Sequence, residues 1–189
     1  MTYAPYIVGF GGTTRPRSTS ERLVAAVLAE AEQLGARTEL FGGEALAGLP
    51  HFAPENPERT PEQAAFLDAI RRADAIVIGT PAYHGGISGL VKNAIDLTAD
   101  LQSDRRVFLD GRPVGLVVAA GGWQGAGVTL SAMRDIIHAL RGWPTPVGVA
   151  ATSSGIFDAD GRLQDETVRK AVEAQARQLI TFVRAATAA

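Results

Sequence analysis

The stretch from Ile76 to Asp96 limits most severely what this chain can fold into. Ala75 to Ile78 is a continuous apolar run, the pattern of a strand covered on both faces. Pro81 has no amide hydrogen to give a ladder, so the strand is expected to stop by Thr80. Pro81-Ala82-Tyr83-His84-Gly85-Gly86 then forms a glycine-bearing loop. Ile87, Leu90, Val91, Ala94 and Ile95 recur at helical spacing. In an open α/β sheet, the loop between a strand's carboxyl end and the next helix is where ligands sit. The same residues also suit an ordinary strand–helix turn carrying a surface Tyr and His.

Two similar stretches flank this one. Tyr6 to Phe10 is a short apolar run, followed by Gly11-Gly12-Thr13-Thr14-Arg15-Pro16-Arg17-Ser18-Thr19-Ser20. Ser18 and Glu21 have capping-box spacing, and Leu23, Val24, Val27, Leu28, Ala31 and Leu34 share a helical face that Gly35 can end. A helix start fronted by hydroxyls and arginines suits an anion, because free amides and the positive dipole end face it. Thr13, Ser18, Thr19 and Ser20 can donate to phosphate, and Arg15 can add a charge-assisted bond. Capping alone explains Ser18 and Glu21 but not the crowd of donors. No Gly-Lys-Ser/Thr precedes the helix, and the Gly9, Gly11 pattern puts Thr14 at the third glycine of a dinucleotide fingerprint. A terminal monophosphate, as on a mononucleotide, fits better. Val114 to Ala120 is the third buried run, and Gly121-Gly122-Trp123-Gln124-Gly125-Ala126-Gly127 reads as a second glycine-rich loop.

Between these, Arg37 to Phe41 reads as a short strand and 42–61 as a long irregular connection holding His51, a surface residue on this reading. Pro61 opens a helix whose apolar side is Ala65, Phe66, Leu67, Ala69 and Ile70. Leu130, Met133, Ile136, Ile137 and Leu140 mark a helix carrying His138 on or beside its apolar face. Trp143 to Ala151 is a last strand interrupted by Pro144 and Pro146, and Val168 to Val183 closes the chain as a helix. Five strands alternating with helices predict a doubly wound parallel sheet, ordered 2-1-3-4-5, as a single domain over 1–189. That order brings the loops after strands one, three and four to one crevice.

Composition narrows the chemistry. The chain has 18 basic and 20 acidic residues and a formal net charge of -2, so it lacks the basic footprint of a nucleic-acid binder. It has no cysteine, which removes disulfides, thiolate catalysis and cysteine-held metals. Three scattered histidines make no metal site. No apolar run is long enough to span a membrane, and a cytoplasmic location is the expectation. The nucleophile elbow Gly-x-Ser-x-Gly of a serine hydrolase is absent.

The run Gly12-Thr13-Thr14-Arg15-Pro16-Arg17-Ser18-Thr19-Ser20 resembles the phosphate loop of the NADPH-dependent FMN reductase family, usually Gly-Ser-x-Arg-x-x-Ser-x-Ser/Asn. Pro81 to Asp96 resembles that family's isoalloxazine loop and following helix, usually Pro-x-Tyr-Asn/His-Gly-x-x-x-Gly-x-Leu-Lys-Asn-Ala-Ile-Asp. Thr13 replaces the commoner serine but keeps a hydroxyl, and Val91 replaces leucine and stays apolar. The resemblance implies a flavodoxin-like fold and non-covalent FMN, with NADPH or NADH as hydride donor. It implies phosphate contacts from Gly12, Thr13, Arg15, Ser18, Thr19 and Ser20. Pro81, Ala82, Tyr83, His84, Gly85 and Gly86 would line the isoalloxazine, and Gly121, Gly122 and Trp123 its other edge. No side-chain acid or base is implied as catalytic. It further implies a homodimer or homotetramer, with Lys92 and Asp96 pairing within their helix or across subunits. Reduced FMN would pass to a flavin-dependent monooxygenase, or a retained FMN would reduce a quinone, azo compound or metal ion. A flavodoxin-type electron carrier is the rival reading; such carriers are strongly acidic, unlike this chain.

Overall fold

The computed structural model describes residues 3–188. The interior strand β1 (Tyr6–Gly11) is buried along its whole length. It pairs in parallel with β2 (Arg37–Phe41) on one side and β3 (Ala75–Tyr83) on the other. The far side of β3 pairs in parallel with β5 (Pro113–Ala120). Two short strands, β6 (Trp143–Pro144) and β7 (Val149–Thr152), add to the outer edge of β5. The doubly wound class therefore holds, while the strand order differs in detail: the fifth strand is broken in two, and a further short antiparallel strand on β3 brings the sheet to seven among the described residues.

The break has a visible cause. Pro144 and Pro146 supply no ladder amides, and Gln175 fills the gap from the covering helix. Its Nε2 donates to Leu116 O at 3.0 Å and Val147 O at 2.9 Å. A Cβ at Gly115 would lie 2.9 Å from Gln175 Oε1, so this arrangement needs glycine there.

Side chains alternate across the sheet, as a period of two requires. Ile7, Val77 and Val117 face helices α1 (Thr19–Gln33) and α6 (Glu166–Ala188). Val8, Phe10, Ile76 and Ile78 face the other layer. That layer holds α3 (Pro61–Arg72), α4 (Gly89–Leu97) and α5 (Trp123–Ala139), with the short α2 (Gly43–Ala47) at its edge. Phe66 of α3 meets Phe10 and Phe41 edge-on, each at 5.3 Å between ring centres. The carbonyl end of α3 is closed by guanidinium groups: buried Arg112 donates to Arg71 O at 3.2 Å, and Arg106 to Ala73 O at 2.8 Å. Burial pulls the Arg112 guanidinium down to about 10.

Several local expectations change. Strand β3 runs through Pro81 to Tyr83, because the proline's missing donor is tolerated at a strand end. The chain then reverses through His84 and Gly85 into β4 (Gly86–Ile87), which pairs antiparallel with Ala82 and Tyr83. His84 and Gly85 have φ of 52° and 80°, the two left-handed residues of a tight hairpin turn. Ile87 therefore belongs to a strand, and Ser88 caps α4 by accepting from Val91 N at 3.3 Å. The 42–61 connection is not wholly irregular, since α2 lies within it. The second glycine-rich loop shrinks to Gly121-Gly122, with Gly125 and Gly127 inside α5. Ala65 and His138 are exposed rather than on apolar faces.

Candidate functional site

An open cavity of about 470 Å³ sits at the carboxyl ends of β1, β3, β5 and β7. Its first wall is the turn after β1. Thr13 Oγ1 accepts from Arg15 N at 3.0 Å, and that bond folds the turn on itself. Ser18 caps α1 by accepting from Glu21 N at 3.5 Å. The reciprocal half of a capping box is missing, because Glu21 instead accepts from Gly43 N at 2.8 Å. Its carboxylate is thereby tied to the start of α2. The amides of Thr19 and Ser20 take no protein acceptor among the described residues, as the first turn of a helix dictates.

The second wall is the end of β3, Pro81 to Tyr83, and the third is Ala119, Ala120 and Gly121 at the end of β5. The parallel register that sets Pro81 beside Ala119 makes these two walls adjacent. Gly122 is the N-cap of α5, so a second helix start lies beside the cavity. Ser153 closes the remaining side; its carbonyl accepts from Thr19 Oγ1 at 3.3 Å and its amide donates to Ala120 O at 2.7 Å.

Arg15 and Arg17 are the charged residues of the lining, and no Asp or Glu shares it among the described residues. Two cations, a helix start with free amides and several hydroxyls favour an anionic group at this end. Pro81, Ala82, the Tyr83 ring and the Ala119-Ala120 pair supply the apolar part of the lining, which suits a flat ring. The volume falls within the range of small-molecule pockets, roughly 300–1,000 Å³.

The structure brings together most residues singled out from the sequence. Thr13, Arg15, Ser18, Thr19, Ser20, Pro81, Ala82, Tyr83 and Gly121 all line the cavity. Gly12 does not; it is buried behind the turn, where a Cβ would lie 2.8 Å from Gly43 N. His84, Gly85 and Gly86 form the hairpin tip beyond the cavity, and Gly122 and Trp123 stand exposed at its rim. Thr14, Arg17, Ala119, Ala120 and Ser153 line it as well. Small residues ending a buried strand, and hydroxyls directly after the last one, were the signals for Ala119, Ala120 and Ser153.

The chain is 30% identical over 126 residues to an NAD(P)H-dependent FMN reductase of Pseudomonas aeruginosa, a match covering 66% of each protein. It is 31% identical over 121 residues to an FMN-dependent NADPH-azoreductase of Staphylococcus haemolyticus, covering 62% of this chain and 61% of that one. The matched stretch thus spans about two thirds or less of these relatives. Among solved structures, the flavoenzyme NAD(P)H:(acceptor) oxidoreductase FerB from Paracoccus denitrificans superposes with a TM-score of 0.76 at 20% identity, over 96% of this chain and 98% of that one. The likeness extends to a family-wide pattern over residues 5–156, described as NADPH-dependent FMN reductase, and the chain belongs to that family.

Proposed function

We propose that this protein is an NAD(P)H-dependent FMN reductase that binds FMN without a covalent bond. The observation that carries this reading is the polarity of the cavity. Free amides, hydroxyls and Arg15 line it with no carboxylate among the described residues, together with the small apolar residues Pro81, Ala82, Ala119 and Ala120. Thr19 and Ser20 amides, the Ser18 and Ser20 hydroxyls and Arg15 would hold the FMN phosphate. Pro81, Ala82, Tyr83 and Gly121 would border the ring, with Gly122 and Trp123 at its exposed edge. When bound, FMN supplies a group that accepts a hydride from NADPH or NADH and passes on two electrons. The protein's part is to fix the ring, leave one side open to the nicotinamide, and set the positive start of α5 near where negative charge collects. No side chain is assigned as an acid or base.

Tyr83 and Trp123 are 55% and 64% exposed, which leaves the ring end open to an acceptor. That openness supports both delivery of reduced flavin to a monooxygenase and direct reduction of a quinone, azo compound or metal ion. We read residues 1–189 as a single domain working in the cytoplasm as a homodimer or homotetramer. Among the described residues, no helix is long and apolar enough to cross a membrane, and Lys92 pairs with Asp96 inside α4. The test is an anaerobic stopped-flow reaction of the FMN-loaded protein with NADPH and then NADH, following loss of oxidised-flavin absorbance. Rapid bleaching with either nucleotide is expected. FMN binding without bleaching by either would assign an electron carrier instead.

A further inference from the structure

We propose that Arg17 and Arg22 form a second phosphate clamp, beside the FMN phosphate site, that recognises the 2′-phosphate of NADPH. The inference rests on the reductase reading for the identity of its ligand; the clamp shares Arg17 with the lining of the FMN cavity and extends outside that cavity through Arg22. Arg17 lies at the cavity rim with a left-handed backbone, φ 54°. Arg22 lies one turn into α1, half-buried, its guanidinium carbon 3.7 Å above the centre of the Phe157 ring.

The two guanidinium groups converge on Gly161. A Cβ built there would lie 2.9 Å from Arg17 Nη2 and 3.2 Å from Arg22 Nη2, which puts those nitrogens no more than about 6 Å apart. Gly161 holds φ 87° within a short turn in which Gly161 N donates to Asp158 O at 3.1 Å. Its lack of a side chain is what leaves room for both cations.

No carboxylate ion-pairs with either arginine among the described residues. The acids of the same turn are turned elsewhere: Asp158 accepts from Arg162 N at 2.7 Å, and Asp160 pairs with the Arg162 side chain at 3.7 Å. Two like charges held together without a counter-ion repel each other until an anion joins them. Stacking on Phe157 fixes the plane of Arg22 and leaves its N–H edge as the reactive side. A phosphomonoester suits this pair. It carries a charge of about −1.5 to −2 at neutral pH and several acceptor oxygens, enough for both guanidinium edges.

The FMN phosphate already has closer donors in the α1 amides, and Arg22 does not line its cavity. NADPH differs from NADH only in its 2′-phosphate. The clamp therefore sets donor preference rather than flavin affinity.

The experiment uses FMN-loaded protein and two variants, Arg22→Gln and Arg17→Gly, the latter matching the left-handed backbone. Calorimetry with adenosine 2′,5′-bisphosphate and with 5′-AMP reads the clamp directly, without turnover. The wild type is expected to bind the bisphosphate at least tenfold more tightly, with each variant losing most of that margin. The ratio of kcat/KM for NADPH over NADH should fall about tenfold in parallel. A wild type that binds both nucleotides equally overturns the proposal. So does a variant that loses FMN affinity while the bisphosphate margin stays, since the arginines would then serve the flavin phosphate. Bleaching by neither nucleotide would count against the reductase reading alone, and the calorimetry would still decide the clamp.

Discussion

Replacing Gly79 by alanine tests how the packing of α1 on the sheet positions the wall of the cavity proposed to hold the FMN phosphate. Gly79 lies in β3 opposite Gly11, and its backbone is open to any residue, so the substitution adds a methyl without backbone strain. That methyl would stand 2.3 Å from Val24 Cγ2 and 3.0 Å from Ser20 O. Carbon atoms rest at about 3.5–4.0 Å, so more than ~1 Å must be found. Val24 is fully buried, and a β-branched side chain in a helix has one strongly preferred rotamer, so it cannot swing aside. Strand β3 is held on both sides by β1 and β5. The helix is what moves, and its first turn carries the free Thr19 and Ser20 amides.

Overpacking of this kind costs about 1–3 kcal/mol. For a domain of this size, that lowers Tm by roughly 2–12 °C. Because the displaced turn holds the amides, FMN affinity should fall about tenfold, equivalent to ~1.4 kcal/mol. Thermal unfolding without FMN and fluorescence titration with FMN measure the two effects separately. Gly127→Ala is the matched control, since nothing lies within 4 Å of its added Cβ in α5. A Gly79→Ala protein with wild-type Tm and wild-type FMN affinity would refute the claim that α1 is seated by that glycine.

Three further outcomes follow from single positions. Gly127→Ala itself should stabilise the protein by about 0.5–1 kcal/mol, since it replaces glycine by the best helix former at an exposed position; chemical denaturation reads this, and a loss of stability would contradict it. Asn93 accepts from Phe52 N at 2.8 Å and donates to Pro50 O at 3.1 Å, so Asn93→Ala should cost about 1–3 kcal/mol and raise amide exchange around Phe52. The Tyr6 phenol is pushed up to about 12 by burial and then by its hydrogen bond to Glu39. The unfolded phenol ionises near 10, so the native state holds more protons between the two values and stability falls as pH rises across that window. Tyr6→Phe should flatten that loss in denaturation series at pH 9 and 11. Arg112, whose proton leaves the native state earlier than the unfolded one, contributes the opposite slope in both proteins and drops out of the comparison.

The parts legible in the sequence are those where one residue type has one physical meaning. Apolar runs gave the buried strands, and Ser18, Pro61 and Gly35 marked helix ends that the structure keeps. The misread parts are those where a residue's meaning depends on a partner distant in the chain. Pro81 stops a central strand but not the end of one, and only the pairing with Ala119 decides which it is. Glu21 has the spacing to cap its own helix, yet it is drawn to the amide of Gly43, twenty-two residues on. His84-Gly85 reads as loop, although two left-handed residues in succession are also the signature of a tight hairpin. Ser153 becomes part of the site only when β7 is laid beside β5. The hairpin has a functional consequence. By folding β4 back on β3, it carries His84 and Gly85 past the cavity and holds Tyr83 at its mouth, pinned by Thr80, whose Oγ1 accepts from Ser88 N at 3.0 Å. This side of the cavity is therefore bounded by a strand edge rather than a loop, and on the proposed reading that rigidity suits a cofactor whose exposed side must stay open to successive partners.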